Sequence, residues 1–201
     1  LALKAGLSDW DIENAHPHIL LQICKANTLE CSQLEYYCSH REEVLAKLMR
    51  ITSCDRKRAK TLFIRLLYLG KIDGWLKEEK DNDGVVVYPE IDPYCFQNDT
   101  GFMGWIVDLE TELVGICSHI VRNNPKLVKE VKKSKELKKQ KYFKMEASVA
   151  SFFLQEYEIR ILEQIYNYCC EQNYIKENVC VLCADGIMLE NKLIADADIP
   201  T

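Results

Sequence analysis

Apolar and polar positions alternate along this chain with two different periods. Leu7 to Ile12 reads as a short strand that ends near Asp11, and the polar residues after it turn into a helix with Pro17 in its first turn. That helix carries Ile19, Leu20, Leu21, Ile23 and Cys24, apolar on nearly every side, which predicts burial. Helical periodicity continues from Cys31 to Ile51, with Leu34, Tyr37, Cys38, Val44, Leu45 and Leu48 inward and a break near Ser39-His40. Ser53 or Asp55 is placed to cap the next helix, Arg56 to Leu69, and Gly70 to end it. Its apolar stripe is Ala59, Leu62, Phe63, Leu66 and Leu67, while Arg56, Lys57 and Lys60 share the adjoining flank.

Residues 71–101 are punctuated by Asp73-Gly74, Asp83-Gly84, Pro89, Pro93 and Asn98-Asp99, which predicts turns around one strand, Val85 to Tyr88. Phe102 to Val121 follows as a long helix that stops at Asn123-Asn124-Pro125. The longest helix is expected over Ala147 to Asn173, with Val149, Phe152, Phe153, Tyr157, Ile161, Leu162, Ile165 and Tyr168 inward. It leads into Val179 to Glu190, where two apolar runs flank Asp185-Gly186. That pattern predicts a hairpin with a two-residue turn and a carboxylate at its tip. Together these elements predict an α+β fold, predominantly helical, with a small antiparallel sheet on which helices pack.

Composition narrows the function. With 31 acidic against 26 basic residues, a formal charge of −5 excludes a uniformly basic nucleic-acid coat, so any such contact has to come from local patches. No apolar run approaches the ~18 to 20 residues of a membrane span, so an intracellular protein without a membrane partner is expected. The chain starts at Leu1, a few residues before its first strand, which suggests a piece of something longer. Among its ten cysteines, Cys180 and Cys183 alone have metal-ligand spacing, and in a strand they face opposite sides. Buried free thiols in a reducing compartment are the expectation. Between Lys126 and Lys144 lie nine lysines and two glutamates. This block reads either as a solvated, mobile connection or as a surface for a polyanion, with Lys132, Lys133, Lys135, Lys138 and Lys139 as candidate contacts.

Asp11 and Asp185, each at the end of a strand, are the candidate catalytic pair. Carboxylates from two strand ends can hold a pair of divalent ions about 3.5 to 4 Å apart, the arrangement that phosphoryl transfer requires, and hard oxygen ligands suit magnesium. Arg56 and Lys60, one helical turn apart, could neutralise a triphosphate.

The order of these pieces resembles the palm and fingers of template-dependent DNA polymerases. Asp11-Ile12-Glu13-Asn14-Ala15-His16-Pro17-His18-Ile19-Leu20 is similar to the first motif of family A and more so to that of family B. By that resemblance His16 would sit under the sugar of the incoming nucleotide. Arg56, Lys60 and Tyr68 match the fingers pattern Arg-x3-Lys-x7-Tyr of family A, with Gly70 one residue late and Phe63 one early. This implies that Arg56 and Lys60 bind the triphosphate and that Tyr68 stacks near the base. Ser148, Ser151 and Gln155 resemble the helix at the primer-template junction, and Asp185 the third motif, which here keeps one carboxylate. The resemblance implies a single palm-like domain over residues 1–201 with a reduced fingers insertion at about 41–100. It also implies a nucleotidyltransferase using Mg²⁺ or Mn²⁺, nucleoside triphosphates and a nucleic-acid primer-template, within a viral or mobile-element replication complex. Two other readings of the residues remain: an inactive α-rich replication or scaffold domain acting through protein or nucleic-acid binding, and a metal-dependent nuclease.

Overall fold

The computed structural model describes residues 7–138, 145–175, 180–182 and 186–190. Their elements, in order, are β1 (Leu7–Asp11), α1 (Ala15–Ala26), α2 (Ser32–Ser39), α3 (Arg41–Thr52), α4 (Arg56–Leu67), α5 (Ile72–Leu76), β2 (Glu79–Lys80), β3 (Val86–Tyr88), a 3₁₀ turn at Pro93–Phe96, α6 (Thr100–Asn123), α7 (Pro125–Leu137), α8 (Met145–Glu171), β4 (Val181–Leu182) and β5 (Gly186–Glu190). The fold is α+β and predominantly helical, as the periodicity implies. Contacts divide the chain into two compact units, Leu1–Ile19 with Phe153–Thr201, and Leu20–Phe152.

In the first unit β5 is the central strand of an antiparallel sheet, order β1-β5-β4. β1 pairs along its whole length, from Leu7 opposite Glu190 to Asp11 opposite Gly186. Cross-strand partners share a face, so Ser8, Trp10, Ile187 and Leu189 point one way and Asp9, Asp11, Gly186 and Met188 the other. Ile187 and Leu189 are buried in a cluster with Leu162 and Cys169 of α8, joined by Ile165 and Tyr166. A half-buried sheet laid on one helix face explains the alternation of these strands. Leu182 pairs with Ile187, and Gly186, expected in the turn, is already in strand β5. Asp185 itself lies outside the described residues.

The second unit is helical around Leu34, Leu45, Leu48, Leu62, Leu66, Ile106, Leu109 and Ile120, all almost fully buried. The expected break between α2 and α3 falls at His40, and Asp55 rather than Ser53 caps α4, accepting from the Arg58 amide at 2.7 Å. Leu69, with φ 56°, takes the left-handed position after α4 that was expected of Gly70. Gly70 serves a different need: a Cβ there would lie 2.8 Å from the Arg65 carbonyl oxygen and would strike the Arg65 side chain.

Two contacts outside any local pattern join these helices. The N-cap of α2, Cys31, makes no side-chain cap. Glu112, far away on α6, supplies it instead, accepting from the Gln33 and Leu34 amides at 3.0 and 2.8 Å. Arg58, only 4% exposed, reaches from α4 to the carbonyls of Pro89 and Trp75 at 2.5 and 3.3 Å. Its guanidinium is also 5.2 Å from the ring centroids of both Trp75 and Tyr88. Trp75 answers by donating its indole N–H to the Arg58 carbonyl at 3.0 Å. Helix α5, in a region expected to hold turns around one strand, is joined to α4 by this clasp, with Ile72, Trp75 and Leu76 buried.

The lysine block also departs from the expectation of a mobile connection, since Pro125–Leu137 is the helix α7 with Val131 buried. Phe152 and Tyr168 are 44% and 47% exposed, not inward as the periodicity suggested. The nine described cysteines are free. Burial pushes the thiols of Cys24, Cys38 and Cys117 up to about 12, which keeps them protonated and unreactive at neutral pH.

Removal of the long-range cap in Glu112→Ala is expected to lower the unfolding free energy by about 1 to 2 kcal/mol. Glu112→Gln, which keeps one acceptor oxygen, should lose less. Urea denaturation of the three proteins measures the difference.

Candidate functional site

β1 carries its carboxylates on the face turned away from α8. Asp11 closes the strand, exposed, opposite Gly186. A side chain at position 186 would lie 2.5 Å from the Trp10 carbonyl oxygen and would collide with the Asp11 carboxylate. Glycine at this position is therefore what lets Asp11 lie across the β5 backbone. Asp9 shares the face and is also exposed, two residues earlier. The alternation in Leu7-Ser8-Asp9-Trp10-Asp11 held that information, yet sequence reasoning singled out Asp11 alone. The other expected catalytic carboxylate, Asp185, is outside the described residues. Gly186, the next residue in the chain, pairs with Asp11. Among the described residues no group of three His, Cys, Asp or Glu side chains is arranged to hold a metal ion.

His16 lies in the first turn of α1, and its Nε2 is 3.2 Å from Oε1 of Glu158 on α8. Glu158 is 8% exposed, so the imidazole gives a buried carboxylate the partner it needs. Sequence reasoning did not foresee this pairing, because the partner is on another element. Gln155, one turn before Glu158 on α8, is exposed.

In the second unit α4 presents its cations unequally. Arg56 forms a two-pronged pair with Glu42 of α3, Nη1 to Oε2 at 2.5 Å and Nη2 to Oε1 at 2.7 Å. Glu42 is held below the usual carboxylate range by hydrogen bonding to Arg56, with charge attraction from Arg56, Arg41 and Lys60 also contributing. Lys60 is half-buried one turn on, and Tyr68 caps the helix. Phe63, one place from the expected aromatic position, belongs to the core: it is 4% exposed and stacks on Tyr37 with centroids 4.5 Å apart. The residue on the Arg56–Lys60–Tyr68 line is Ile64, which is 56% exposed. A further cation of the helix surface, Arg65, was not singled out from the sequence.

On α7 the helical phase sorts the lysines. Val131 points inward, while Lys126, Lys129, Lys132 and Lys133 are exposed and follow one another at helical spacing. Lys138, at the end of the helix, is exposed, whereas Lys135 is half-buried on the inner flank. Lys139 lies outside the described residues. Lys126 and Lys129 therefore join Lys132 and Lys133 as the cationic face, and Lys135 does not. Among the described residues none of these four has a carboxylate partner.

Comparison with known proteins is narrow. No family model matches the chain, and no solved structure matches it. It is 26% identical over 181 residues to a protein of Sputnik virophage named "Putative helicase V13". That alignment takes in 90% of this chain and 20% of the virophage protein, so the chain spans about a fifth of its relative's length. Among the described residues no helix is long and apolar enough to cross a membrane.

The Arg56–Glu42 contact should respond to acid in one direction. Because the Glu42 carboxyl is depressed in the folded chain, the pair persists above its ordinary value of 4.5 and is lost as pH falls below that through the folded value. A carboxyl-carbon NMR titration should place the Glu42 midpoint below 4.5 in the wild type and return it toward 4.5 in Arg56→Gln.

Proposed function

We propose that the chain is the nucleotide-transferring portion of a viral replication protein. In this reading it extends a 3′ hydroxyl with nucleoside triphosphates on a nucleic-acid template. The observation that carries the reading is the antiparallel pairing of Asp11 with Gly186. It sets one strand-end carboxylate beside strand β5, which Asp185 precedes in the sequence. Two carboxylates contributed there by distant parts of the chain would hold Mg²⁺ or Mn²⁺, which when bound activates a 3′ hydroxyl and offsets charge on the leaving phosphates. The chain's own residues supply the rest. Lys60 would neutralise triphosphate oxygens, joined by Arg56 once its fork leaves Glu42. Tyr68 would face the base, and His16, held by Glu158, would stand against the sugar. The exposed lysine face of α7 and Gln155 of α8 would follow the template and primer backbones, with Lys126, Lys129, Lys132 and Lys133 meeting successive phosphates. Similarity to a fifth of a virophage protein named "Putative helicase V13" supports a chain that would work within a longer viral protein.

A second reading is favoured by one observation. Arg56, the leading phosphate ligand, already has its fork filled by Glu42, as suits a chain that has become a replication scaffold. A test of metal-dependent incorporation separates the two. Labelled nucleotide should be added to a primed template in Mg²⁺ or Mn²⁺ and lost by at least 100-fold in Asp11→Asn or Asp185→Asn. Unchanged incorporation in either variant would remove the transferase assignment; none at all in a folded wild-type chain would favour the scaffold.

The lysine face has its own test. Replacing Lys129 and Lys133 together with Ala should weaken duplex binding irrespective of sequence. It should also flatten the slope of log affinity against log salt by about 0.9 for each phosphate contact removed.

A further inference from the structure

Beside the C-terminal end of α4, an open cavity of about 400 Å³ is lined by Arg65, Tyr68, Gly70, Ser148, Ser151 and Phe152. It lies within the second unit, and none of the residues lining it is acidic. Arg65 dominates its charge. The guanidinium is exposed, and no described carboxylate pairs with it. This sets it apart from Arg56, filled by Glu42, and Arg58, buried against carbonyls and rings.

The position of Arg65 is built into the backbone. Its stem runs over Gly70, and its guanidinium lies over Gly74 of α5, where an added Cβ would come within 2.7 Å of Nη2 and 3.2 Å of Cζ. Two glycines clear the space for this one side chain, which has no carboxylate partner among the described residues, and the glycine inside the short helix α5 costs helix stability. Across the cavity Ser148 and Ser151 stand three residues apart on one face of α8. Two rings complete the walls. Tyr68 is half-buried, and Phe152, though apolar, is 44% exposed. A fixed cation, two hydroxyls and two aromatic faces match a phosphate joined to a planar heterocycle.

We infer that this cavity is a nucleotide-unit subsite, in which Arg65 and the two serine hydroxyls hold the phosphate and Tyr68 and Phe152 flank the base. The inference deepens the proposed function, on which it rests for its ligand class. The phosphate and base come either from one residue of a single strand or from a free nucleotide.

The test uses the whole chain and fluorescence anisotropy of a fluorescein-labelled oligodeoxythymidylate, with thymidine monophosphate as competitor. Arg65→Gln should weaken oligonucleotide binding about tenfold and lower the salt slope by about 0.7. Gly74→Ala is the second variant. Alanine favours the helix, so thermal stability should hold or rise, while the added methyl moves the guanidinium and binding should still fall severalfold. Competition by thymidine monophosphate that depends on Arg65 would assign the site to a free nucleotide; Arg65-dependent strand binding without such competition would assign it to a strand. Binding within twofold of wild type in both variants overturns the inference, as does a loss in Arg65→Gln that is matched by unfolding and absent from Gly74→Ala. Failure of the transferase reading is separable. A chain that binds through Arg65 yet incorporates nothing keeps this subsite and loses the activity; a chain that incorporates with Arg65-indifferent binding does the reverse.

Discussion

Backbone pairing between the beginning and the end of the described chain, β1 against β5, is the constraint from which the candidate catalytic centre follows. It runs in continuous register from Leu7 opposite Glu190 to Asp11 opposite Gly186. A shift of one residue would bring Asp9 and Asp11 onto the face that Ile187 and Leu189 turn to α8. The apolar cluster of Leu162, Cys169, Ile187 and Leu189 therefore determines which face of the sheet carries the carboxylates. Gly186 completes the arrangement, because a larger residue there would drive the Asp11 carboxylate off the strand. Fold and candidate chemistry share one set of contacts in this unit.

Helix α4 shows how similar cations acquire different tasks from their surroundings. Arg56 and Arg58 are two positions apart, yet one pairs with a carboxylate at the surface and the other ties α5 and the Pro89 segment to the helix. A buried guanidinium without a carboxylate is tolerable when carbonyl oxygens and ring faces replace its hydration. Arg65 is displayed instead, over two glycines. Exposure alone would not distinguish Arg56 from Arg65, since both are at the surface. What distinguishes them is whether the fork is already filled.

Charge on α7 makes the same point at the scale of a helix. The basic block stands out in an acidic chain, and the helical phase concentrates four of its lysines on one side while Val131 anchors the other. Like charges at helical spacing destabilise a helix modestly, and buried Val131, with half-buried Leu127 and Val128, offsets that cost. A cationic face maintained in this way is a fixed surface, with less to lose in ordering on contact with a polyanion than a mobile linker has.

Much of the local structure was legible in the chain itself. Periodicity alone located the strand ending at Asp11, the break at His40, the apolar stripe of α4 and the long helices α6 and α8, because burial of one face imposes a repeat that composition records. The cap of α4 was narrowed to Ser53 or Asp55, since a short polar side chain before a helix reaches its first-turn amides, and the structure selects Asp55. The sequence could not disclose that Glu112 caps α2 from 79 residues away, that Arg58 rather than its neighbours is buried, or that Glu42 fills the fork of Arg56. Nor could it show which lysines of α7 face outward, or which face of the sheet turns away from α8. The physical reason is one of range. Propensity and periodicity act over a turn or two of chain and can be read in order. A cation's partner, a strand's register and the wall of a cavity are determined by packing between segments far apart in sequence, so they exist only once the chain has folded.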